Sequence, residues 1–84
     1  MAMPIYESAE DYLEAILVIQ QRKGIVHSID VAEETGFSKA SVSVAMKKLR
    51  ENGYISMEKD GSLKLLAPGK KIAERIWERN RVLT

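Results

Sequence analysis

The stretch Ser28–Asn52, with the sequence SIDVAEETGFSKASVSVAMKKLREN, decides the fold of this chain. Ser28 is predicted to cap a short helix, because a serine hydroxyl accepts a hydrogen bond from an amide of the first turn. Gly36 ends that helix, and one residue separates it from Ser38, which is predicted to cap a longer helix ending at Asn52. Two helices joined by so short a turn indicate a helix-turn-helix, here over about residues 28–52.

The longer helix has two faces of different chemistry. Its apolar residues recur at steps of three and four, the spacing of one helix face, and are predicted to face the core. They are Val42, Ala45, Met46 and Leu49. The opposite face is mostly small or basic and is predicted to face solvent. It contains Lys39, Ala40, Ser43, Val44, Lys47 and Arg50.

Helical patterns are predicted on both sides of this stretch. The first covers about residues 9–23, where Ser8 resembles the start of a capping box and Gly24 ends the apolar helical spacing. The last covers about residues 69–84, after Ala67-Pro68-Gly69 closes the preceding segment. It runs to Thr84 without a capping glycine, which is more typical of a helix cut short than of one that finishes.

A β-hairpin, the wing, is predicted over about residues 54–66. Apolar residues alternate with polar ones on both sides of Asp60-Gly61, and this dipeptide favours a two-residue turn because both central positions adopt positive φ. The expected fold is therefore mainly α with a small β-hairpin. It is a single winged helix-turn-helix domain, residues 1–84, with three helices, a two-stranded wing and a C-terminal linking helix.

The composition excludes several classes of protein. The chain has 84 residues, enough for one domain. It contains no cysteine, so it has no disulfide, thiolate metal site or cysteine nucleophile. The longest apolar run, Ala15–Ile19, is far shorter than the ~20 residues of a membrane helix, and no signal peptide is evident. A cytoplasmic protein without a membrane partner is expected. Residues 1–35 carry two basic and seven acidic side chains and residues 36–84 carry eleven and five, so the second half can attract phosphate.

The outer face of the longer helix has the groups that DNA recognition uses. Its serine hydroxyls suit phosphates or base edges, its first amides can donate to anions, and its lysines attract phosphates. The alternative is that Ser38 only caps the helix and the other side chains are solvated. The place of this face between a tight turn and a hairpin favours DNA binding. The candidate residues are Ser38, Lys39, Ala40, Ser41, Ser43, Val44, Lys47, Lys48 and Lys59.

Three segments resemble the N-terminal DNA-binding domain of the iron- and manganese-dependent repressors, the diphtheria-toxin-repressor family. They are YESAEDYLEAI at 6–16, SKASVSVAMKKL at 38–49 and GYI at 53–55. The resemblance implies a metal-dependent transcriptional repressor whose intact form binds double-stranded operator DNA as a homodimer. Together with the uncapped last helix, it implies a chain truncated before a dimerisation and metal-sensing domain. It also implies base and phosphate contacts from the start and outer face of the longer helix. Relatives frequently have proline at the position of Ala40, and some have a polar residue at that of Val44, so operator preference is expected to differ.

Metal binding is the less complete part of the resemblance. The manganese-responsive branch takes ligands from an aspartate and a glutamate that correspond to Asp11 and Glu14, and this spacing places both carboxylates on one helix face. The family's next ligand is a histidine where this chain has Asn80. The alternative is that Asp11 completes the helix cap and Glu14 is solvated, and two carboxylates are too few for a tight site. We therefore expect Mn²⁺ or Fe²⁺ in the intact protein, but no tight binding by these 84 residues.

Two other interpretations compete with DNA binding. Catalysis is not expected, because Lys64 stands where a P-loop needs glycine, and the single histidine, His27, is expected to face solvent outside any Ser/His/acid set. A winged helix that does not respond to metal, or that mainly contacts another protein, stays open. The apolar stripe for such a contact contains Ile72, Ile76, Trp77 and Leu83.

Overall fold

The computed structural model describes the backbone of residues 5–83 and the side chains of residues 9–79. Within these limits it contains four helices and a two-stranded antiparallel sheet. In chain order the elements are α1 (Ile5–Lys23), α2 (Ser28–Thr35), α3 (Lys39–Glu51), β1 (Ile55–Met57), β2 (Leu63–Leu65) and α4 (Ala67–Leu83). The predicted mainly α fold with a hairpin between the third and fourth helices is confirmed. None of the helices in the described residues is long and apolar enough to cross a lipid bilayer.

Helices α2 and α3 form the predicted pair. Gly36 adopts the left-handed conformation, with φ of 80°, and its N–H donates to the Ala32 carbonyl oxygen at 2.9 Å, which ends α2. Ser38 caps α3 as predicted, because its Oγ accepts the N–H of Ser41 at 3.1 Å. The turn between the helices is therefore three residues long, 36–38.

The predicted cap of α2 is wrong, and α1 and α4 begin earlier than predicted. Ser28 is the first residue of α2 rather than its cap. The cap position belongs to His27, which is half-buried and donates its N–H to the Asp30 carboxylate at 2.9 Å. Helix α1 begins at Ile5, so Ser8 lies inside it. Helix α4 begins at residue 67, two positions early, because a proline in the first turn gives up no hydrogen bond.

The turn of the wing also differs from the predicted two-residue turn. Beyond the strand ends, the Glu58 N–H donates to the Ser62 oxygen at 2.8 Å, so the loop closed by this pair has three residues, 59–61. Within it, the Gly61 N–H donates to the Glu58 oxygen at 2.9 Å. Gly61 alone in this turn has positive φ, at 87°. Asp60 does not have positive φ, and its carboxylate accepts the Ser62 N–H at 2.9 Å. This is the pattern of a three-residue hairpin loop that ends in a left-handed glycine.

One hydrophobic core joins all the elements. Helix α4 packs on α1 and β2, α2 packs on both α1 and α3, and α3 packs on β1. The largest fully buried side chains come from α1, the α1–α2 connection, α2, α3 and β1. They are Leu13, Ile16, Ile19, Val26, Val31, Val42, Met46 and Ile55. The helix-turn-helix therefore packs on α1 and on β1 of the wing, and α4 supports α1 and the other strand of the wing.

Candidate nucleic-acid interface

Helix α3 presents its predicted outer face to solvent. Its apolar side is buried, with Val42, Met46 and Leu49 no more than 5% exposed. Anchoring on α2 and β1 fixes the rotation of the helix, so the opposite side faces outward. The exposed residues of this outer face, with the cap, are Ser38, Lys39, Ala40, Ser41, Ser43, Val44, Lys47, Lys48 and Arg50. All the α3 residues predicted to contact DNA are therefore accessible.

The start of α3 offers hydrogen-bond donors to an anion. The Ser38 and Ser41 hydroxyls are hydrogen-bonded at 3.0 Å, and Ser38 Oγ also accepts the Ser41 N–H. Ser38 therefore serves as a cap whether or not it touches a ligand. The amides of Lys39 and Ala40 precede the first intrahelical donor of an α-helix and have no intrahelical acceptor. Such amides, together with the helix dipole, favour a phosphate oxygen at this end.

Contacts that the sequence did not indicate fix the turn before α3. Thr35 Oγ1 donates to the Val31 oxygen at 2.8 Å and accepts the Phe37 N–H at 3.2 Å. The Phe37 ring packs edge-on against Tyr12 of α1, with ring centroids 5.4 Å apart. Burial, and to a lesser degree the charge of Asp11, raises the pKa of the Tyr12 hydroxyl, so it stays neutral in this contact. The turn is thereby held against α1, which fixes where α3 begins.

A third backbone segment supports the wing. Val26, between α1 and α2, forms an isolated bridge with Leu63, whose N–H donates to the Val26 oxygen at 2.7 Å. Nothing in the sequence pattern indicated this bridge, because it joins residues far apart in the chain. On the other strand, Met57 Sδ lies 3.9 Å from Nη1 of Arg50 in α3. Lys59 is exposed in the turn of the wing, at the free end of the hairpin.

The distribution of ion pairs leaves the outer face of α3 positively charged. In the described part of the chain, the salt bridges all lie around α1 and α2, as in Arg22–Glu34 at 2.9 Å and Lys23–Asp30 at 2.7 Å. The Lys23 ammonium, and then the His27 N–H, hold the pKa of the Asp30 carboxyl below its usual value. None of these described salt bridges involves a lysine of α3. Those lysines are available to an anionic partner.

The two predicted metal ligands lie together, but they do not complete a site. Asp11 and Glu14 line the same hollow between α1 and the end of α2, as their spacing predicted. Glu34 lines that hollow too, and its carboxylate binds Arg22. Among the described residues, no group of three or more His, Asp or Glu side chains is placed to hold a metal ion. The side chain of Asn80 lies outside the described residues.

Comparison with known proteins shows which family this chain belongs to. The sequence model described as iron dependent repressor, N-terminal DNA binding domain, matches residues 5–63. The chain belongs to the iron-dependent repressor family. The matched region of this iron-dependent repressor domain includes α1, α2, α3 and β1, and so every candidate DNA-binding residue and both candidate metal ligands. The family resemblance inferred from sequence is confirmed.

Individual relatives agree with this assignment. Two proteins named HTH-type transcriptional regulator MntR, from Geobacillus thermodenitrificans and Bacillus velezensis, are each 36% identical over 76 residues, which is 90% of this chain and 54% of theirs. The chain thus spans about half the length of the curated relatives it matches. The crystal structure of a transcriptional regulator from Thermotoga maritima has a TM-score of 0.64 at 20% identity, covering 86% of this chain and 54% of that one. It supports the winged-helix fold, and the relatives are regulators rather than enzymes.

Proposed function

We propose that this iron-dependent repressor domain binds double-stranded operator DNA by placing α3 in the major groove. The observation that carries the proposal is the outer face of α3. This face combines serine hydroxyls, backbone amides without an intrahelical acceptor, and lysines that take part in none of the described salt bridges. It lies on the helix that follows the tight turn at residues 36–38. An α-helix fits the major groove, and the second helix of a helix-turn-helix enters it with its N-terminal residues toward the bases.

The contacts in this arrangement divide into two groups. The amides of Lys39 and Ala40 and the hydroxyl of Ser41 are suited to a phosphate at the start of the helix. Lys47 and Lys48, on the next turns, add electrostatic attraction to the backbone. Lys59, at the tip of the wing, is placed to reach a neighbouring phosphate when the wing lies along the duplex. Ser43, Ala40 and Val44 face the bases between these contacts.

The metal response and dimerisation of the whole protein are part of the same proposal. We infer that the intact protein is a cytoplasmic homodimer that represses transcription when Mn²⁺ or Fe²⁺ is bound. Asp11 and Glu14 are oxygen donors of the kind these ions accept, and they share one hollow. They supply only part of a coordination sphere, so the remaining ligands must come from elsewhere in the intact protein.

Salt-dependent binding tests the proposal. Fluorescence anisotropy with a labelled duplex of about 24 base pairs is expected to show an affinity that falls steeply with rising salt. Lys39→Glu with Lys47→Glu is expected to weaken binding at least about tenfold and to reduce the salt slope by about 2, because two side-chain charges that attract the DNA backbone are reversed.

The matched control makes the same charge change elsewhere. Lys71→Glu with Arg75→Glu alters exposed residues of α4, which packs on α1 and β2. This variant is expected to lose much less affinity than the α3 variant. Binding that responds neither to salt nor to the α3 charges contradicts the proposal and favours a protein partner on the α4 stripe.

A further inference from the structure

Met57 is an exposed methionine in the wing. It ends β1 and is 39% exposed, whereas Met46, in the core, is 1% exposed. Ile55 lies on the same face of the strand and is buried, so this face leaves the core at Met57. A thioether is oxidised where an oxidant reaches it, so Met57 is the more susceptible of these two methionines.

The Met57 sulfur contacts a cation of α3. Arg50 Nη1 lies 3.9 Å from Sδ, and this contact joins the last turn of α3 to the wing. A thioether sulfur is a weak acceptor, so the contact holds the guanidinium only loosely. Arg50 takes part in none of the described salt bridges. It follows Lys47 by three residues, which places both cations on one side of the helix.

The guanidinium is placed to assist oxidation of the sulfur by hydrogen peroxide. The sulfur lone pair attacks one peroxide oxygen, a sulfur–oxygen bond forms, and the oxygen–oxygen bond breaks. The departing oxygen leaves as hydroxide and takes the proton of the oxygen now bound to sulfur, so the products are methionine sulfoxide and water. Sulfur is oxidised and the peroxide is reduced. A hydrogen-bond donor beside the sulfur stabilises the negative charge that develops on the departing oxygen.

We propose that Met57 is a modification site for hydrogen peroxide, and that its sulfoxide oxygen binds the Arg50 guanidinium and thereby weakens DNA binding. The sulfoxide oxygen is a stronger acceptor than the thioether sulfur, and a hydrogen bond from a charged donor is stronger than one between neutral groups. The guanidinium is then held at β1 and withdrawn from a DNA phosphate. The modification is reversible, because methionine sulfoxide reductases restore the thioether.

The effect on DNA rests on the proposed function, because it requires a duplex that lies along α3 and the wing. In that arrangement Arg50 stands between the lysines of α3 and the wing, and its charge attracts a phosphate. Loss of this one contact is expected to lower the affinity about eightfold at about 0.1 M salt and to reduce the salt slope by about 1.

Peroxide treatment of the chain tests this inference. A labelled duplex is first selected from a random-sequence library by binding to the untreated wild type. The chain is then treated with hydrogen peroxide, peptide mass spectrometry locates the sulfoxide, and anisotropy measures dissociation constants over a range of salt concentrations. Met57 is expected to be oxidised before Met46, and the affinity is expected to fall as Met57 is oxidised. Methionine sulfoxide reductases that act on both sulfoxide epimers are expected to restore the affinity.

Two variants show whether Met57 and Arg50 are responsible. Met57→Leu has an apolar side chain of similar size without sulfur, and it is expected to keep its affinity after treatment. Untreated Arg50→Ala is expected to bind as weakly as the oxidised wild type, and oxidation of its Met57 is expected to change nothing further. Thermal unfolding followed by circular dichroism confirms that both variants are folded.

The outcomes separate this inference from the proposed function. No binding of the untreated wild type to any duplex overturns the proposed function, and the effect of Met57 on DNA binding with it. If the untreated chain binds, three results overturn this inference alone. They are a Met57 that resists peroxide, an affinity unchanged when Met57 is oxidised, and a loss of affinity that persists in treated Met57→Leu or Arg50→Ala.

Discussion

Replacing Gly69 with alanine is expected to destabilise the domain, although alanine normally favours a helix. Gly69 is buried in the first turn of α4 and does not have positive φ, so its backbone accepts alanine. A Cβ there would overlap the Tyr54 carbonyl oxygen and lie 3.3 Å from Cδ2 of Leu13. The Tyr54 oxygen accepts the Leu66 N–H at 2.9 Å, so it cannot move aside without weakening that bond.

The magnitude follows from three opposing contributions. Helix propensity favours alanine by at most about 1 kcal/mol. Overpacking against a fixed backbone atom costs about 1–3 kcal/mol, and the weakened hydrogen bond between Leu66 and Tyr54 adds about 1 kcal/mol. The net loss of unfolding free energy is expected to be about 1–3 kcal/mol. For a domain of this size, that corresponds to a fall in Tm of about 4–24 °C.

Thermal and urea unfolding followed by far-UV circular dichroism measures this change. Lys70→Ala is the matched control, because Lys70 is the next residue of α4 and is exposed, and its effect is expected to stay within about 0.5 kcal/mol. If Gly69→Ala is as stable as the wild type while the control behaves as expected, the close approach of α4 to Tyr54 is refuted.

Three further predictions concern the caps, the charges and the metal. Ser38→Ala removes the acceptor for the Ser41 N–H and is expected to cost about 1 kcal/mol in urea unfolding, whereas Ser43→Ala is expected to cost nothing; equal effects would contradict the capping role. Because the folded-state pKa of Asp30 is lowered, its contribution is present at neutral pH and lost as pH falls below about 4. Asp30→Asn should therefore be less stable than the wild type at pH 7, and the difference in stability should shrink below about pH 4. A difference that does not depend on pH would contradict this role of Asp30. Calorimetric titration of this chain with Mn²⁺ or Fe²⁺ should show no site of micromolar or tighter affinity, and such a site would overturn the incomplete-ligand argument.

The residues of α3 show how much of the site could be predicted from sequence. The period of Val42, Met46 and Leu49 predicts the buried side, and the outer face follows from it by helix geometry alone. The caps were less predictable. Ser28 and Ser8 have the right chemistry, but the residue that caps a helix must itself have a non-helical backbone. Ser28 is already the first helical residue of α2, and Ser8 lies inside α1, which continues back to Ile5. Local composition does not fix that boundary.

Tertiary contacts explain what the sequence pattern missed in the wing. Asp60-Gly61 permits a two-residue turn, but the structure closes the loop one residue longer, with Asp60 accepting the Ser62 N–H. The bridge between Val26 and Leu63 joins distant segments and has no period that a single sequence displays. The proposed metal ligands show the same limit. Helix spacing predicts that Asp11 and Glu14 share one face of α1, and they do line one hollow, but only the family resemblance suggested them as ligands, and no third ligand joins them among the described residues.

The most direct test of the central claim locates the DNA-binding surface residue by residue. Amide chemical shifts of the ¹⁵N-labelled chain are recorded during titration with a selected duplex. The largest changes are expected at residues 38–48 and at Lys59 in the wing. Little change is expected at Arg22 and Glu34, which form an ion pair between α1 and α2. Changes concentrated on α4, or no changes at residues 38–48 when the duplex is bound, would contradict the account.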